Sequence, residues 1–479
     1  MEGRFLIRDI HVLEFHLDAD FIFQNSHVYT INHETFLKYF PIDREPHIID
    51  GKEYSLPELQ ESEFGYLVID SIVELEKFDS VTEGSAKIRP YRLVIYGIIA
   101  FLTEKVILSF ESFASRSGPF NGEHKRGKRQ PFLADEEGEY SDDLGSILNS
   151  IHNFDQEKRI LLFSLFERWR KALYLEQESE ESLIYLDEAT LAYVHILEIL
   201  ADEFSETLKQ RTKTENDSYL TQIQDLIGKH PKQKEKKEIK TLVNRIKENQ
   251  VTLKAKSLVM LTDFNISNEK TIGIVNRFIE HRNAIAHGRP DIYQEKVVFP
   301  LRPFFSQIKD IFEEIESIKY LVAKCLSSYL KINRWTEDFE TMLMHELTPL
   351  KIVQQFITSK KYEIISTQDF IDNYIEGPVP GDFGAYYIQG YLTFADVEIA
   401  VSDCIRSAKF NKKNFQCLFS AAVILSDSKD LITAKKARKI ITTVHQRRWG
   451  YYSNKRDILK EFEYFGKTLT WYRQWLSSF

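Results

Sequence analysis

The chain has 479 residues and a net charge of −9, with 43% hydrophobic and 28% charged side chains. That length predicts two to four domains, because single cores stop growing near ~250–300 residues. The acidic balance excludes a protein that coats nucleic acid by bulk electrostatics, so any RNA contact has to be a local patch.

Aromatic residues are abundant (34 Phe and 23 Tyr) against 19 Gly and 13 Pro, which favours long helices and filled cores over disorder. Cys325, Cys404 and Cys417 form no recognisable pair, so neither a disulfide framework nor a zinc site is expected, and a reducing cytoplasm is the simplest compartment. The start, Met1-Glu2-Gly3-Arg4, lacks the apolar core of a signal peptide. The most apolar run, Leu93 to Leu102, is too short for a membrane helix, which needs roughly 20 residues.

Residues 1–115 read as a mostly β domain. Ile10 to Leu17 alternates in part, and Phe21–Phe23, Tyr66–Ile69 and Val106–Phe110 are short β-branched and aromatic runs. Residues 116–146 read as a charged linker. Its basic block, His124-Lys125-Arg126-Gly127-Lys128-Arg129, either touches phosphate or is solvated beside the acidic stretch Asp135–Glu139, and solvation is the default.

From about residue 150 the pattern turns helical. Leu161, Leu162, Leu165, Phe166 and Trp169 recur at three- and four-residue steps, and a second helix is expected over 181–208. His195 lies beside the stripe of that helix and Glu198 near it. A core-edge histidine with a hydrogen-bond partner is the default reading of His195, and a catalytic one the alternative. Helices are expected at 216–229 and 238–262, joined by the Lys-rich run Lys229–Lys237, whose positive face is solvated or touches RNA. A further helix starts near Ser267, read as its N-cap, with Glu269 in the first turn. It stops at Gly288, ahead of Pro290. Phe304 to Tyr329 gives one more amphipathic helix. Residues 336–479 form a separate helical region, broken at Pro378–Gly384, with segments near 386–408, 413–426, 429–446 and 453–477 that suggest paired, repeat-like hairpins.

The chemistry concentrates at Arg282-Asn283-Ala284-Ile285-Ala286-His287. With Arg282 at zero, Asn283 falls near ~100° and His287 near ~140° around the helix, so the three share a side, and the small Ala286 at ~40° leaves room for another helix. Cleavage of RNA by its own 2′-hydroxyl needs a proton-transfer group near neutral pH, which histidine supplies, and a permanent cation for the phosphorane, which arginine supplies. Asn283 can orient either one. No phosphate loop, dinucleotide fingerprint, His-Glu-x-x-His or Gly-x-Ser-x-Gly motif is present, and no cofactor or metal is expected.

The run Phe278-Ile279-Glu280-His281-Arg282-Asn283-Ala284-Ile285-Ala286-His287-Gly288 resembles the Arg-Asn-x3-His-Gly signature of HEPN domains, in particular the ApeA-like group of bacterial anti-phage proteins. Leu191 to Leu200 is similar to that group's long preceding helix. The resemblance covers about 150–332. The patterning of the whole chain predicts an α+β fold that is predominantly α-helical, and the resemblance implies a HEPN helical bundle over 147–335. It also implies Arg282 and His287 as catalytic residues, Asn283 in support, and metal-independent cleavage of tRNA or mRNA. A homodimer through the HEPN domain, and a phage-derived or protein trigger in an abortive-infection or toxin setting, follow from the same likeness. Arg289 stands where the HEPN toxins paired with nucleotidyltransferase antitoxins have Tyr, so that regulation is not implied. The competing expectation is a catalytically inactive HEPN scaffold that binds nucleotide, RNA or protein.

Overall fold

A computed structural model describes residues 3–39, 47–49, 52–54, 62–76, 79–107, 112–124, 131–134, 138–179, 185–213, 217, 240, 251–287, 311–372, 376–449 and 455–478. The chain is α+β and mostly helical, with its sheet at the N-terminal end. It divides into two compact units, Met1–Phe264 with Phe278–Phe339, and Asn265–Arg277 with Glu340–Phe479.

The first unit opens with β1 (Gly3–Val12), β2 (Leu17–Phe23) and β3 (Ser26–Ile31), then α1 (His33–Tyr39), a small hairpin of β4 (His47–Ile49) and β5 (Lys52–Tyr54), and β6 (Tyr66–Leu75). The run Ile10–Leu17, read as one alternating stretch, is shared between two strands, because residues 13–16 turn the chain between β1 and β2. Next come α2 (Val81–Thr103), β7 (Ser112–Pro119), β8 (Phe132–Ala134) and β9 (Gly138–Glu139). Seven strands form one antiparallel sheet in the order β7-β1-β6-β3-β2-β8-β9. β6 is central and buried at nine of its ten positions, hence its unbroken apolar run.

Three expectations change here. The segment 116–146 is not only a linker: it carries the end of β7, then β8 and β9, and the start of the next helix. Of the expected strand Val106–Phe110, residues 106–107 are non-strand and the rest lies outside the described residues, as do Lys125–Arg129 of the basic block. The region 1–115 also holds the 23-residue α2. This helix starts with a capping box, in which the Glu83 N–H donates to Ser80 Oγ at 3.2 Å and Glu83 accepts from the Ser80 N–H. It is apolar all round at Ile95–Leu102 because it is covered on more than one side. Gly97 permits the close approach of the helix behind it, since a Cβ there would lie 2.7 Å from the Phe166 carbonyl oxygen.

That neighbour belongs to the helical layer: α3 (Ser141–Asn153), α4 (Gln156–Gln177), α5 (Leu186–Asp202), α6 (Leu253–Asp263), α7 (Glu269–Ala286) and α8 (Ile311–Leu330). The helix expected over 181–208 begins at Leu186, breaks at residues 203–204 and resumes over 205–213. The expected 216–229 helix, the Lys229–Lys237 run and the start of the Phe304–Tyr329 helix fall outside the described residues, except 217. Trp169 of α4 is fully buried. Its indole N–H donates to the Ala100 carbonyl at 3.2 Å, Trp335 donates to Phe101 at 3.0 Å, and Arg334 to Leu102 at 2.9 Å. The C-terminal carbonyls of α2 are thus met by side chains from elsewhere in the unit, the Ala100 carbonyl in addition to its bond from the Glu104 N–H at the C-cap.

The second unit takes the first half of α7 and most of α9 (Thr336–His345), followed by α10 (Leu350–Thr358), α11 (Thr367–Asp372), α12 (Pro380–Ile388), α13 (Phe394–Ser407), α14 (Phe415–Leu425), α15 (Leu431–Arg447), α16 (Lys455–Tyr464) and α17 (Thr470–Leu476). The break expected at Pro378–Gly384 is half right, because Pro380 opens α12 from its first position. The segment 386–408 divides at Gly390 (φ +88°), and 453–477 forms two helices rather than one. The packing is not that of stacked hairpins. α14 is buried over most of its length and is contacted by α12, α13 and α15, so this unit closes around a single central helix.

Candidate active site

α7 carries the motif, and its cap fixes where that motif falls. Asn268, not Ser267, is the N-cap: the Thr271 N–H donates to Asn268 Oδ1 at 3.0 Å, and the Asn268 N–H donates to Thr271 Oγ1 at 2.9 Å. Ile274, Val275 and Phe278 are fully buried along one stripe of the helix. The last turns are half-buried and polar. His281 Nε2 lies 2.9 Å from Glu314 Oε2 on α8. Arg282 Nε lies 3.2 Å from Glu198 Oε1 on α5, and Arg282 Nη1 donates to Asn283 Oδ1 at 3.1 Å.

The structure therefore brings Arg282 and Asn283 together and adds Glu198, which binds the edge of the guanidinium. Arg282 Nη2 has no partner among the described residues. His287 sits in the turn just beyond α7, held by its backbone N–H to the Asn283 carbonyl at 3.1 Å. Its side chain is exposed and bonds neither Arg282 nor Asn283 nor any other described residue. Ala286 beside it is exposed as well. Gly288, Arg289 and Pro290 lie outside the described residues.

A second shelf of polar groups adjoins Glu198. His195 is one turn earlier on α5 and half-buried. Burial pushes its imidazole below its ordinary value. Glu198 opposes that shift, while the positive charges of Arg168, Arg282 and Lys171 reinforce it. Sequence reasoning noted His195 and Glu198 but assigned neither to the site, and it missed Arg168 and Lys171. The available signal was the basic pattern Arg168-Trp169-Arg170-Lys171 around a buried tryptophan. Among the described residues, no group of three or more His, Cys, Asp or Glu side chains is placed to hold a metal ion, and no helix is long and apolar enough to cross a membrane.

Searches against protein-family models, curated proteins and solved structures found no match to this chain.

Proposed function

We propose that this chain is a HEPN-type endoribonuclease that works without a metal ion. The observation that carries the reading is the mounting of Arg282. Glu198 holds its Nε and Asn283 its Nη1, so the remaining side of the fork is available to a phosphate oxygen at the end of a helix that also carries an exposed histidine. In the reaction, the substrate 2′-oxygen gives up its proton to a solvent water and bonds to phosphorus. The guanidinium stabilises the charge on the non-bridging oxygens, the P–O5′ bond breaks, and His287 delivers a proton to the leaving 5′-oxygen. The products are a 2′,3′-cyclic phosphate and a 5′-hydroxyl.

A single exposed helix end gives a scissile phosphate little enclosure, so the working form is a homodimer in which two such ends face each other. By the same resemblance, the protein acts in the cytoplasm as a toxin or anti-phage effector, held in check until a phage-derived or protein trigger is sensed. The test is cleavage of tRNA and of mixed RNA by purified protein in EDTA, with the product ends analysed. Cyclic-phosphate ends that vanish with Arg282→Ala and His287→Ala support the reading. Wild-type cleavage by both variants, or a strict need for added Mg²⁺ or Mn²⁺, overturns it and leaves the inactive scaffold.

A further inference from the structure

The face of α4 next to the candidate site carries two cations, Arg168 and Lys171, that form no ion pair among the described residues. In the run Glu167-Arg168-Trp169-Arg170-Lys171, the aromatic residue sets the geometry. Trp169 is fully buried and packs edge-on against Tyr193 of α5, with ring centroids 5.5 Å apart. Arg170 is engaged by Glu167, to which it donates twice, at 3.1 and 2.9 Å. Arg168 and Lys171 have no such partner: neither forms an ion pair among the described residues. Arg168 Nε is moreover buried without any hydrogen-bond partner. A buried guanidinium N–H left unpaired is costly, on the order of 1–3 kcal/mol or more. The guanidinium is thus held on α4 without a counter-charge among the described residues.

The opposing side comes from α5. His195 lies two residues past Tyr193, and its ring feels Arg168 and Lys171 from α4 and Arg282 from α7. The carboxylate in the same field is Glu198, and Arg282 already engages it. Three cations thus act on His195, and the one carboxylate that acts on it with them, Glu198, is already engaged by Arg282. Local positive charge of this kind attracts an oxyanion.

We propose that Arg168 and Lys171, with His195 beside them, form a second phosphate subsite, which takes an RNA backbone phosphate next to the one held by Arg282. This rests on the ribonuclease reading above and adds to it the path of the strand, from the end of α7 onto α4. Arginine suits the inner position, where its planar fork can hold two phosphate oxygens at once, and the exposed lysine acts as a point charge at the rim.

The experiment is a binding titration of a short fluorescent single-stranded RNA against the full chain carrying His287→Ala, which leaves the RNA intact, over a KCl series. Adding Arg168→Gln or Lys171→Gln is expected to weaken binding several-fold. It should also lower the slope of log affinity against log salt by about 0.7 for each phosphate that is no longer neutralised. Lys171 is exposed, so its variant keeps the test decisive if Arg168→Gln perturbs folding. Unchanged affinity and slope in the Lys171 variant and in a folded Arg168 variant overturn the subsite. Inorganic phosphate is titrated in parallel, and a site that binds it while RNA affinity ignores both substitutions also overturns it. The two readings fail separately. Binding that depends on Arg168 and Lys171, with cleavage that survives His287→Ala, would sink the catalytic assignment alone. Cleavage that needs His287, with binding indifferent to α4, would sink the subsite alone.

Discussion

Lys270 Nζ donates to the main-chain carbonyl of Leu343 at 2.9 Å, and the lysine is only 1% exposed. The contact ties the first turn of α7 to α9 within the second unit, and Arg277 with Glu346 (2.9 Å) repeats the tie two turns on. Burial lowers the Lys270 pKa, opposed by the negative charges of Asp382 and Glu346. Asp382 is itself buried, and accepts from the Val379 N–H at 2.8 Å and the Thr348 N–H at 3.2 Å.

Removing the lysine leaves the buried Leu343 carbonyl without its donor and takes away a positive charge whose field favours the Asp382 carboxylate. Lys270→Met is therefore expected to destabilise the second unit by on the order of 1–3 kcal/mol. Adding Asp382→Asn should recover part of the loss, since the amide keeps an acceptor but carries no charge. Urea unfolding of the two single variants and the double variant gives the coupling, and strict additivity would show that the two groups do not sense each other.

Glu198 is expected to act on the reaction through Arg282, by holding its Nε. Glu198→Ala should lower kcat about tenfold with KM little changed, because a loosened guanidinium fails the transition state more than the ground state. Glu198→Gln, which keeps an acceptor oxygen, should retain more activity than Glu198→Ala. Steady-state kinetics on one RNA decides this. Equal kinetics for wild type and Glu198→Ala would remove Glu198 from the site.

The contrast between Arg282 and Glu198 also marks what the sequence could reveal. Arg282, Asn283 and His287 are neighbours in the chain, so a local pattern could single them out, although only Arg282 and Asn283 are in contact. Glu198, Arg168 and Lys171 arrive from two other helices through packing of Trp169 on Tyr193, which no local pattern encodes. The same limit applies to the fold. Short runs such as Tyr66–Ile69 read correctly as strands, whereas α2 was hidden because a helix buried on several sides loses its amphipathic stripe. The overlooked local signal was its start, Ser80 with Glu83 three residues on.

His11 makes the first unit sensitive to acid. The residue is 1% exposed in β1, its Nε2 lies 2.7 Å from Tyr96 Oη of α2, and its Nδ1 is buried without a partner. Burial first, and Arg92 second, push its pKa from 6.5 down to about 4. Arg92 is paired with Asp9 on the same strand, so protonated His11 would bring a further positive charge into the site. The unfolded chain therefore binds the proton between about pH 4 and 6.5 while the folded chain does not, and stability rises with pH through that window. The loss on acidification should reach on the order of 3 kcal/mol by pH 4. His445 in the second unit is likewise lowered to about 4, by burial and then Lys455, and adds a loss of the same sign there. His11→Asn should flatten the pH dependence of the first unit's unfolding in a calorimetric series from pH 4 to 7. An unchanged pH dependence would mean that His11 is already protonated in the folded state.

The side chain of His287 reaches neither Arg282 nor Asn283 within one chain, and Ala286 and His287 are exposed at the end of α7. In a symmetric dimer built on that end, each working site can take its arginine from one copy and its histidine from the other. Complementation tests this directly. Arg282→Ala and His287→Ala, each inactive alone, are mixed one to one under conditions that let subunits exchange. Half of the resulting dimers then carry one variant of each kind, and each of these regains one intact pair out of two, so the mixture should recover about a quarter of wild-type cleavage. Light scattering on the same samples reports the dimer. If the arginine and histidine of a site came from the same chain, no mixed dimer would contain a complete pair, and the mixture would stay as inactive as its parts. A monomer with full activity would dispose of the shared site altogether.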